Sequence, residues 1–230
     1  MSENKGRTFD LVTLGQLLLR LSPPNNERLM RCDVFEKQVG GAELNVAVGV
    51  SLLGLHTGII SKLPSHDIGS FMKGKIRSYG VSDDFFIYDK SPSARVGIYY
   101  YENGAYPRKP KVIYDRANSS FYSIDIKDIP EEVYGATKCF HTSGITLALS
   151  PQIRKTAIEM IKKFKEAGTL VSFDVNFRGN LWTGAEAKEC IEQILPYVDI
   201  FFCSEDTARL TFLKTGTAKE MMKSFAEEYP

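Results

Sequence analysis

The 230-residue chain is 43% hydrophobic and 25% charged, so it can bury a full core, and we expect one domain over residues 1–230. Lysine plus arginine exceed aspartate plus glutamate by 29 − 28 = 1, without a basic cluster, which argues against a nucleic-acid partner. The N-terminus has no apolar segment, and no later run approaches membrane-spanning length. We therefore expect a cytoplasmic protein that makes no membrane contact.

The cysteines and histidines are scattered along the chain. Cys32, Cys139, Cys190 and Cys203 contain no Cys-x-x-Cys spacing, which predicts reduced thiols rather than a disulfide framework or a zinc site. The three histidines show no ligand spacing either, and His141 fits a hydrogen-bonded residue at a strand end. The sequence thus predicts no protein metal site.

Apolar periodicity predicts alternating strands and helices in the first part of the chain. The predicted strands cover residues 9–14, 17–21 and 57–63, and the predicted helices cover residues 42–53 and 67–79. Gly54 and Gly80 follow the two helices as stop signals, and Asp67 is the expected N-cap of the second helix.

The same alternation returns after residue 137. The predicted strands cover residues 137–142, 170–175 and 198–203, and the predicted helices cover residues 150–167, 185–195, 205–213 and 218–229. Gly168 is the expected stop of the longest helix. Strands alternating with helices of this length predict parallel pairing with right-handed crossovers, and hence an open α/β sandwich.

Two segments, residues 17–39 and 93–119, interrupt this alternation. They contain strand-like stretches, such as 95–102 and 111–114, without an intervening helix. We expect them to form a small antiparallel flap beside the main sheet, near the carboxyl ends of its strands, where open α/β sheets bind ligands. The alternative is a pair of long surface insertions, although unstructured loops of that length are uncommon.

A glycine pair opens the first predicted helix. Gly40 and Gly41 bring backbone close to a ligand, the helix start supplies unpaired amide donors, and Asn45 follows one turn later. Such a corner suits a polar or anionic small molecule. The alternative is an ordinary junction between a loop and a helix.

The flap carries aromatic and cationic candidates. Tyr99 lies in a run of three tyrosines, and strand alternation places Tyr114 and Arg116 on one face, with Ser119 soon after. An arginine fork beside a phenol hydroxyl suits a carboxylate, because its planar donors engage both oxygens. The alternative is an exposed flap strand with mixed side chains.

A later strand ends in Asp174, Asn176 and Arg178, and the following strand ends before Ser204. Polar groups at the carboxyl ends of parallel strands point into the ligand cleft of such sheets. Arg178 could meet a phosphate or a carboxylate, whereas Asp174 or Asn176 could hold hydroxyls or metal-bound water. The alternatives are a solvated connector with Trp182 as packing, and Ser204 as the N-cap of the next helix.

In this order, the motifs resemble the PfkB-type sugar kinases of the ribokinase-like superfamily, and most closely the 2-keto-3-deoxygluconate kinases. The resemblance covers the whole chain. It rests on Leu14-Gly-Gln-Leu-Leu-Leu-Arg-Leu-Ser-Pro, Gly40-Gly-Ala-Glu-Leu-Asn-Val-Ala, Lys62-Leu-Pro with Asp67-Ile-Gly, Val112-Ile-Tyr-Asp-Arg-Ala, and Asp174-Val-Asn-Phe-Arg with Leu181-Trp182. It implies a ribokinase-like three-layer α/β sandwich with a mostly parallel sheet and a small antiparallel lid.

The resemblance also implies a reaction, the ATP-dependent phosphorylation of a terminal hydroxyl of 2-dehydro-3-deoxy-D-gluconate, with Mg²⁺ shielding the phosphates. By position, Gly40, Gly41 and Asn45 would contact the hydroxyls of the sugar acid. Tyr99, Tyr114 and Arg116 would hold its keto and carboxylate end. Arg178 would be the catalytic arginine between the substrate and the transferred phosphate, with Asn176 and Ser204 on the nucleotide side.

The sequence departs from the family pattern at three places. Gln16 stands where an acidic residue is usual, and Ser204-Glu205-Asp206-Thr207 stands where an Asn-x-x-Glu-like motif is usual. The Gly-Ala-Gly-Asp segment, which supplies the family's anion hole and catalytic base, does not occur before Pro230. We expect that about the last third of a family-length chain is missing, so that these residues alone do not turn over substrate and tend to self-associate.

Two alternatives remain at this stage. A fructokinase or ribokinase relative would share the fold and the glycines, but its neutral sugar offers no carboxylate to Arg116. A non-catalytic binding protein could retain the sugar pocket. A homodimer through the lid is plausible in this family.

Overall fold

The computed structural model describes residues 6–229, so Pro230 lies outside the described residues. The strands are β1 (Phe9–Leu14), β2 (Leu18–Ser22), β3 (Glu36–Gly40), β4 (Thr57–Pro64), β5 (Val81–Ser82), β6 (Phe86–Asp89), β7 (Gly97–Glu102), β8 (Lys111–Asp115), β9 (Thr137–Ser143), β10 (Leu170–Asp174) and β11 (Ile200–Phe202). The helices are α1 (Ala42–Leu52), α2 (Asp67–Ser78), α3 (Val133–Ala136), α4 (Gly144–Ala148), α5 (Pro151–Glu166), α6 (Gly184–Glu192), α7 (Glu205–Phe212) and α8 (Ala218–Glu228).

The chain divides into two compact units. The first unit comprises residues 6–14 together with 125–229, and the second comprises Gly15–Ile124. Every strand and helix predicted from periodicity is present, with ends that differ by at most a few residues. None of the described helices is long and apolar enough to cross a membrane.

The first unit contains parallel strands in the order β11-β10-β9-β1. Helix α5 begins at Pro151, whose preceding residue Ser150 caps the helix by accepting from the amide of Ile153. Its buried residues recur at helical spacing, and Phe164 stacks on Phe140 of β9 with ring centroids 4.0 Å apart. An amphipathic helix thus covers part of the parallel sheet.

The second unit joins β4 to the short parallel strands β5 and β6 and packs α1 and α2 beside them. Its core is apolar, and the side chains of β2, α1, β4 and α2 meet in it. The fully buried members of this core include Leu44, Ala47, Ile59, Met72 and Ile76. Burial of these side chains fixes the position of helix α1, which begins at the glycine pair.

The two segments that interrupt the alternation pair with each other in one four-stranded sheet, in the order β3-β2-β7-β8. We call it the lid sheet. The β2–β3 and β7–β8 pairs are antiparallel, as expected, but β2 and β7 are parallel, with Leu18 opposite Gly97. The prediction of a purely antiparallel flap is therefore wrong in this detail. The chain between β2 and β7 passes through helices and strands and returns in the same direction.

The helix ends agree with the sequence signals except at one cap. Gly54, Gly80 and Gly168 follow their helices with positive φ angles of 85°, 79° and 72°. Asp67 was expected to cap α2, but it is the first helical residue. The cap is His66, whose ring Nδ1 accepts a hydrogen bond of 3.2 Å from the amide of Ile68. Asp67 instead places its carboxylate in the first turn, where the helix dipole favours negative charge.

Candidate functional site

One face of the lid sheet carries a row of polar and aromatic residues. Arg20 of β2 lies opposite Gln38 of β3 on one side and opposite Tyr99 of β7 on the other. Tyr99 in turn lies opposite Tyr114 of β8, with ring centroids 6.0 Å apart. Residues in cross-strand register share a face of the sheet, so this row of four, which we call the lid row, extends across all four strands. Sequence reasoning identified only its two tyrosines.

The glycine pair lies at the edge of the lid row. A Cβ on Gly40 would lie 2.6 Å from the Tyr99 hydroxyl, and one on Gly41 would lie 2.8 Å from the carbonyl oxygen of Gln16. Gly41 is also the N-cap of α1, and its carbonyl accepts from the amide of Asn45 at 3.0 Å. Only glycine permits these close approaches without displacing a neighbour.

A cavity of about 420 Å³ opens between the lid sheet and the start of α1. Gly40, Asn45 and Tyr99, which the sequence predicts as substrate contacts, all line it. Its other lining residues are predominantly polar and include Arg20, Ser22, Gln38 and Asn103. A small polar ligand suits a cavity of this size and chemistry better than an apolar one.

Gln16 holds Arg116 in place. The Nε of Arg116 donates a hydrogen bond of 2.8 Å to the side-chain oxygen of Gln16. The Gln16 amide nitrogen donates to the backbone carbonyl of Arg116 at 3.1 Å and to Ser119 Oγ at 2.7 Å. Gln16 is only 3% exposed, and a Cβ on Gly97 would lie 3.1 Å from its amide nitrogen. The guanidinium also lies over the Tyr114 ring, 5.5 Å from its centroid.

The phenols near these arginines are protonated at neutral pH. Burial raises the pKa of Tyr99 above its ordinary value of 10.0, although the nearby positive charge of Arg20 opposes the shift. Burial also raises the pKa of Tyr122, against the opposing charge of Arg116. At neutral pH both hydroxyls therefore carry a proton that they can donate to a ligand oxygen.

The other predicted contacts lie in the first unit, where β10 and β11 end side by side. Asp174 Oδ1 accepts a hydrogen bond of 3.0 Å from the amide of Asn176, which has a φ of 37°. Burial raises the pKa of Asp174, whereas that hydrogen bond and the charge of Arg178 lower it. The Nη1 of Arg178 donates to the carbonyl of Phe177 at 3.1 Å, and this contact is exposed. These groups lie at the carboxyl end of a strand, as predicted.

Ser204 has a structural role. It caps α7 by accepting a hydrogen bond of 3.3 Å from the amide of Thr207, and its hydroxyl donates to Thr207 Oγ1 at 2.9 Å. This is the alternative that the sequence left open. Trp182 is buried, as the packing alternative for that segment predicted.

The polar residues of the lid row, with Gly40, Gly41, Asn45 and Arg116, form the candidate substrate site in the second unit. Asn176, Arg178 and Ser204 belong to the first unit. Sequence reasoning did not identify Arg20, Gln38 or Asn103, and treated Gln16 only as a departure. The positions of Arg20 and Gln38 follow from strand register and that of Gln16 from its side-chain partners, which periodicity within a single strand does not encode.

Residues 8–229 match the family described as pfkB family carbohydrate kinase. Because the match covers almost the whole chain, the chain belongs to the pfkB family of carbohydrate kinases. The resemblance inferred from the ordered motifs is thereby confirmed.

Named relatives agree with this assignment. The chain is 36% identical over 222 residues to a 2-dehydro-3-deoxygalactonokinase of Haloferax volcanii, covering 96% of this chain and 69% of that protein. It is 28% identical to a 5-dehydro-2-deoxygluconokinase of Clostridium beijerinckii, covering 80% of this chain and 53% of that protein. The chain thus spans between about half and about two thirds of the length of these relatives.

Solved structures confirm the fold class. The crystal structure of 2-dehydro-3-deoxygluconokinase from Thermotoga maritima matches with a TM-score of 0.87 and 33% identity, over 96% of this chain and 68% of that chain. An uncharacterized sugar kinase from Pyrococcus horikoshii, solved in complex with ATP, matches with a TM-score of 0.77 and 27% identity, over 88% of this chain and 66% of that chain. The protein has a ribokinase-like three-layer α/β fold with a mostly parallel sheet and a small mixed lid sheet.

Proposed function

We propose that this protein phosphorylates a terminal hydroxyl of a 2-dehydro-3-deoxy sugar acid, such as 2-dehydro-3-deoxy-D-gluconate, with ATP as the phosphoryl donor. The observation that carries the proposal is the fixed Arg116 guanidinium. Arg116 Nε donates a hydrogen bond to Gln16, and the guanidinium lies over the Tyr114 ring. The guanidinium is therefore oriented before a ligand binds. A pre-oriented guanidinium suits a planar carboxylate, because little side-chain entropy is lost on binding.

The remaining contacts complete a sugar-acid site in the second unit. Tyr99 lines the cavity and Tyr114 lies opposite it on the neighbouring strand, and their hydroxyls donate to the keto and carboxylate oxygens. Gly40 and Gly41 allow the ligand to approach the backbone at the start of α1, where Asn45 contacts its hydroxyls. The sugar-acid kinases among the relatives support this substrate class.

The donor role of ATP accords with the ATP complex of the Pyrococcus horikoshii relative. Arg178 is the proposed contact to the transferred phosphate, because it follows the carboxyl end of β10. Asn176 and Ser204 are the proposed nucleotide-side contacts. Arginine charge at this point stabilises the transferring phosphoryl group, so that catalysis rests on positioning and electrostatics.

Magnesium is proposed to arrive bound to the nucleotide. Residues 6–229 contain no group of three acidic, histidine or cysteine side chains that could hold a metal ion. Mg²⁺ commonly retains several waters and binds through substrate phosphates with one or two carboxylates. The carboxylate of Asp174, at the end of the same strand, fits such a single contact, and it would hold a metal-bound water.

Two assays test the proposal together. Titration calorimetry measures binding of 2-dehydro-3-deoxy-D-gluconate to the purified 230-residue chain, and a coupled assay measures sugar-dependent ADP formation. We expect binding without turnover, because the 230-residue sequence does not contain the Gly-Ala-Gly-Asp segment to which the resemblance assigns the base. Joining the chain to the residues that follow the matched region of the Thermotoga maritima relative should restore ADP formation.

The outcomes separate the proposal from its alternatives. Equal activity of that fusion on D-fructose or D-ribose would identify a neutral-sugar kinase and overturn the sugar-acid proposal. Sugar-acid binding without any turnover by the fusion would favour a non-catalytic binding protein. ADP formation by the 230-residue chain alone would show that the expected inactivity is wrong. Location in the cytoplasm and dimerisation through the lid stay predictions.

A further inference from the structure

Arg20 is a cation in the cavity that the sugar-acid proposal does not use. It is partly buried and lines the same cavity as Gly40, Asn45 and Tyr99. It occupies the middle of the lid row, between Gln38 and Tyr99. A long basic side chain on this face therefore lies beside the proposed substrate contacts.

The guanidinium of Arg20 is fixed in its position by neutral groups. Its Nε donates a hydrogen bond of 2.9 Å to Ser22 Oγ, and its plane lies over the Tyr101 ring, 4.3 Å from the centroid. A hydrogen bond also links it to the Tyr99 side chain. These three contacts come from β2 and from its parallel neighbour β7, so the orientation is built into the lid sheet.

None of these contacts neutralises the positive charge. Glu36 lines the same cavity, but no carboxylate oxygen in residues 6–229 lies within the 4.0 Å ion-pair distance of the Arg20 guanidinium. Withdrawing part of an arginine from water is costly, and an anionic partner offsets that cost. An anionic ligand group in the cavity would provide such a partner for the oriented guanidinium.

We infer that Arg20 is a specificity-determining residue that contacts the substrate carboxylate together with Arg116, so that two fixed guanidinium groups select acids over neutral sugars. The inference rests on the proposed sugar-acid function and adds a second cation to it. Arg116 approaches from the end of β8, and Arg20 approaches from β2, two strands away. A carboxylate has lone pairs for both, since each oxygen accepts more than one hydrogen bond.

The test compares an acid with a neutral sugar on matched variants of the whole chain. Binding of 2-dehydro-3-deoxy-D-gluconate and of D-fructose is measured by calorimetry for the wild type and for Arg20→Met, which keeps much of the length and packing of the side chain. Loss of one charged hydrogen bond should weaken acid binding by roughly 10- to 100-fold and leave fructose binding within about twofold. Arg20→Lys keeps the charge but not the planar set of donors. Its affinity for the acid should lie between those of the wild type and of Arg20→Met.

Lys37→Met is the matched control. Lys37 belongs to the adjacent strand β3 and precedes Gln38, so it points to the opposite face, where its Nζ lies over the Phe71 ring at 4.2 Å. This variant removes the same charge from the lid sheet without touching the cavity. We expect unchanged binding of the acid. A loss equal to that of Arg20→Met would assign the effect to general electrostatics and overturn the inference.

The remaining outcomes are distinct. If the wild type binds the acid and Arg20→Met binds it equally well, the inference fails while the proposed function stands. A parallel loss of acid and fructose binding would make Arg20 a hydroxyl contact or a structural residue, and would also overturn the inference. If the wild type binds no sugar acid, the proposed function fails first. Near-UV circular dichroism of each variant shows whether its fold is intact.

Discussion

The guanidinium Nε of Arg116 donates a 2.8 Å hydrogen bond to the side-chain oxygen of Gln16, and the amide of Gln16 donates back to the Arg116 carbonyl at 3.1 Å. The carboxamide thus binds both the side chain and the backbone of one arginine. A carboxylate at position 16, the residue type that the resemblance implies there, would have no proton to donate to the Arg116 carbonyl. The neutral glutamine therefore matches its surroundings, and it brings no negative charge to the arginine.

Gln16→Glu should weaken acid binding. The new carboxylate retains the bond to Arg116 Nε, but it competes with the substrate for the guanidinium charge and can no longer donate to the Arg116 carbonyl. We expect roughly 10-fold weaker binding of 2-dehydro-3-deoxy-D-gluconate, and little change for D-fructose, since the lost attraction is that of a charged pair. Calorimetric titration measures both. Tighter acid binding by this variant would contradict the role given to Gln16.

Arg116→Ala should reduce the discrimination between acid and neutral sugars, and Arg20 should provide what remains. The guanidinium is the proposed carboxylate contact, so its removal should cost the acid roughly 10- to 100-fold in affinity. Fructose, which has no carboxylate, should bind as before. The measurement is the ratio of the two dissociation constants. Discrimination left unchanged by Arg116→Ala would remove the carboxylate argument.

Gly40→Ala should impair the site without unfolding the chain. The new Cβ would lie 2.6 Å from the Tyr99 hydroxyl, so the phenol must move away from its place beside the cavity. We expect weaker sugar-acid binding, measured by calorimetry, at a nearly unchanged melting temperature, because Tyr99 is only partly buried.

Gly49→Ala provides the control for that variant. Gly49 lies within α1, and apart from its chain neighbours and the nearby backbone of its own helix no atom lies within 4 Å of the position of its new Cβ. Alanine in a helix interior stabilises by about 0.5–1 kcal/mol relative to glycine. This variant should therefore be slightly more stable and bind the sugar acid normally. Impaired binding by Gly49→Ala and not by Gly40→Ala would contradict the assignment of the glycine corner.

His141 should make the protein less stable in acid. Burial in β9 lowers its pKa from 6.5 to about 4, and its Nδ1 lies 2.9 Å from Ser172 Oγ. The unfolded chain takes up a proton below pH 6.5, whereas the folded chain does so only near pH 4. The contribution of the neutral imidazole to the free energy of unfolding is therefore complete above pH 6.5. It falls by about 3 kcal/mol as the pH drops towards 4.

Urea denaturation at several pH values measures this loss. His141→Asn has no group that titrates in this range and can still hydrogen-bond Ser172, so it should lack that part of the pH dependence. Identical slopes of unfolding free energy against pH for the wild type and the variant would show that His141 does not carry the effect.

Periodicity predicted the parallel part of the fold well, because each strand and helix there buries apolar residues at the spacing typical of its element type. Helix α5 differs from its predicted range by one residue at each end. The β2–β7 pairing was not predictable in this way. Its parallel direction depends on the path of residues 23–96, which connect the two strands and include α1, β4 and α2, rather than on the pattern of either strand.

The site was predictable in part. The glycine pair, the two tyrosines and Arg116 could be identified because motif and strand alternation mark them. Arg20 could not, because its place beside Tyr99 depends on the register between strands that are distant in sequence. The role of Gln16 could not be predicted either, since its partner Arg116 lies 100 residues away.

The measurement that tests the central claim most directly is a pair of calorimetric titrations on the wild-type chain, one with 2-dehydro-3-deoxy-D-gluconate and one with D-fructose. Two fixed arginines, Arg20 in the cavity lining and Arg116 at the end of β8, predict that the acid binds at least about tenfold more tightly than the neutral sugar. Equal affinities for the two sugars, or no binding of the acid, would contradict the account.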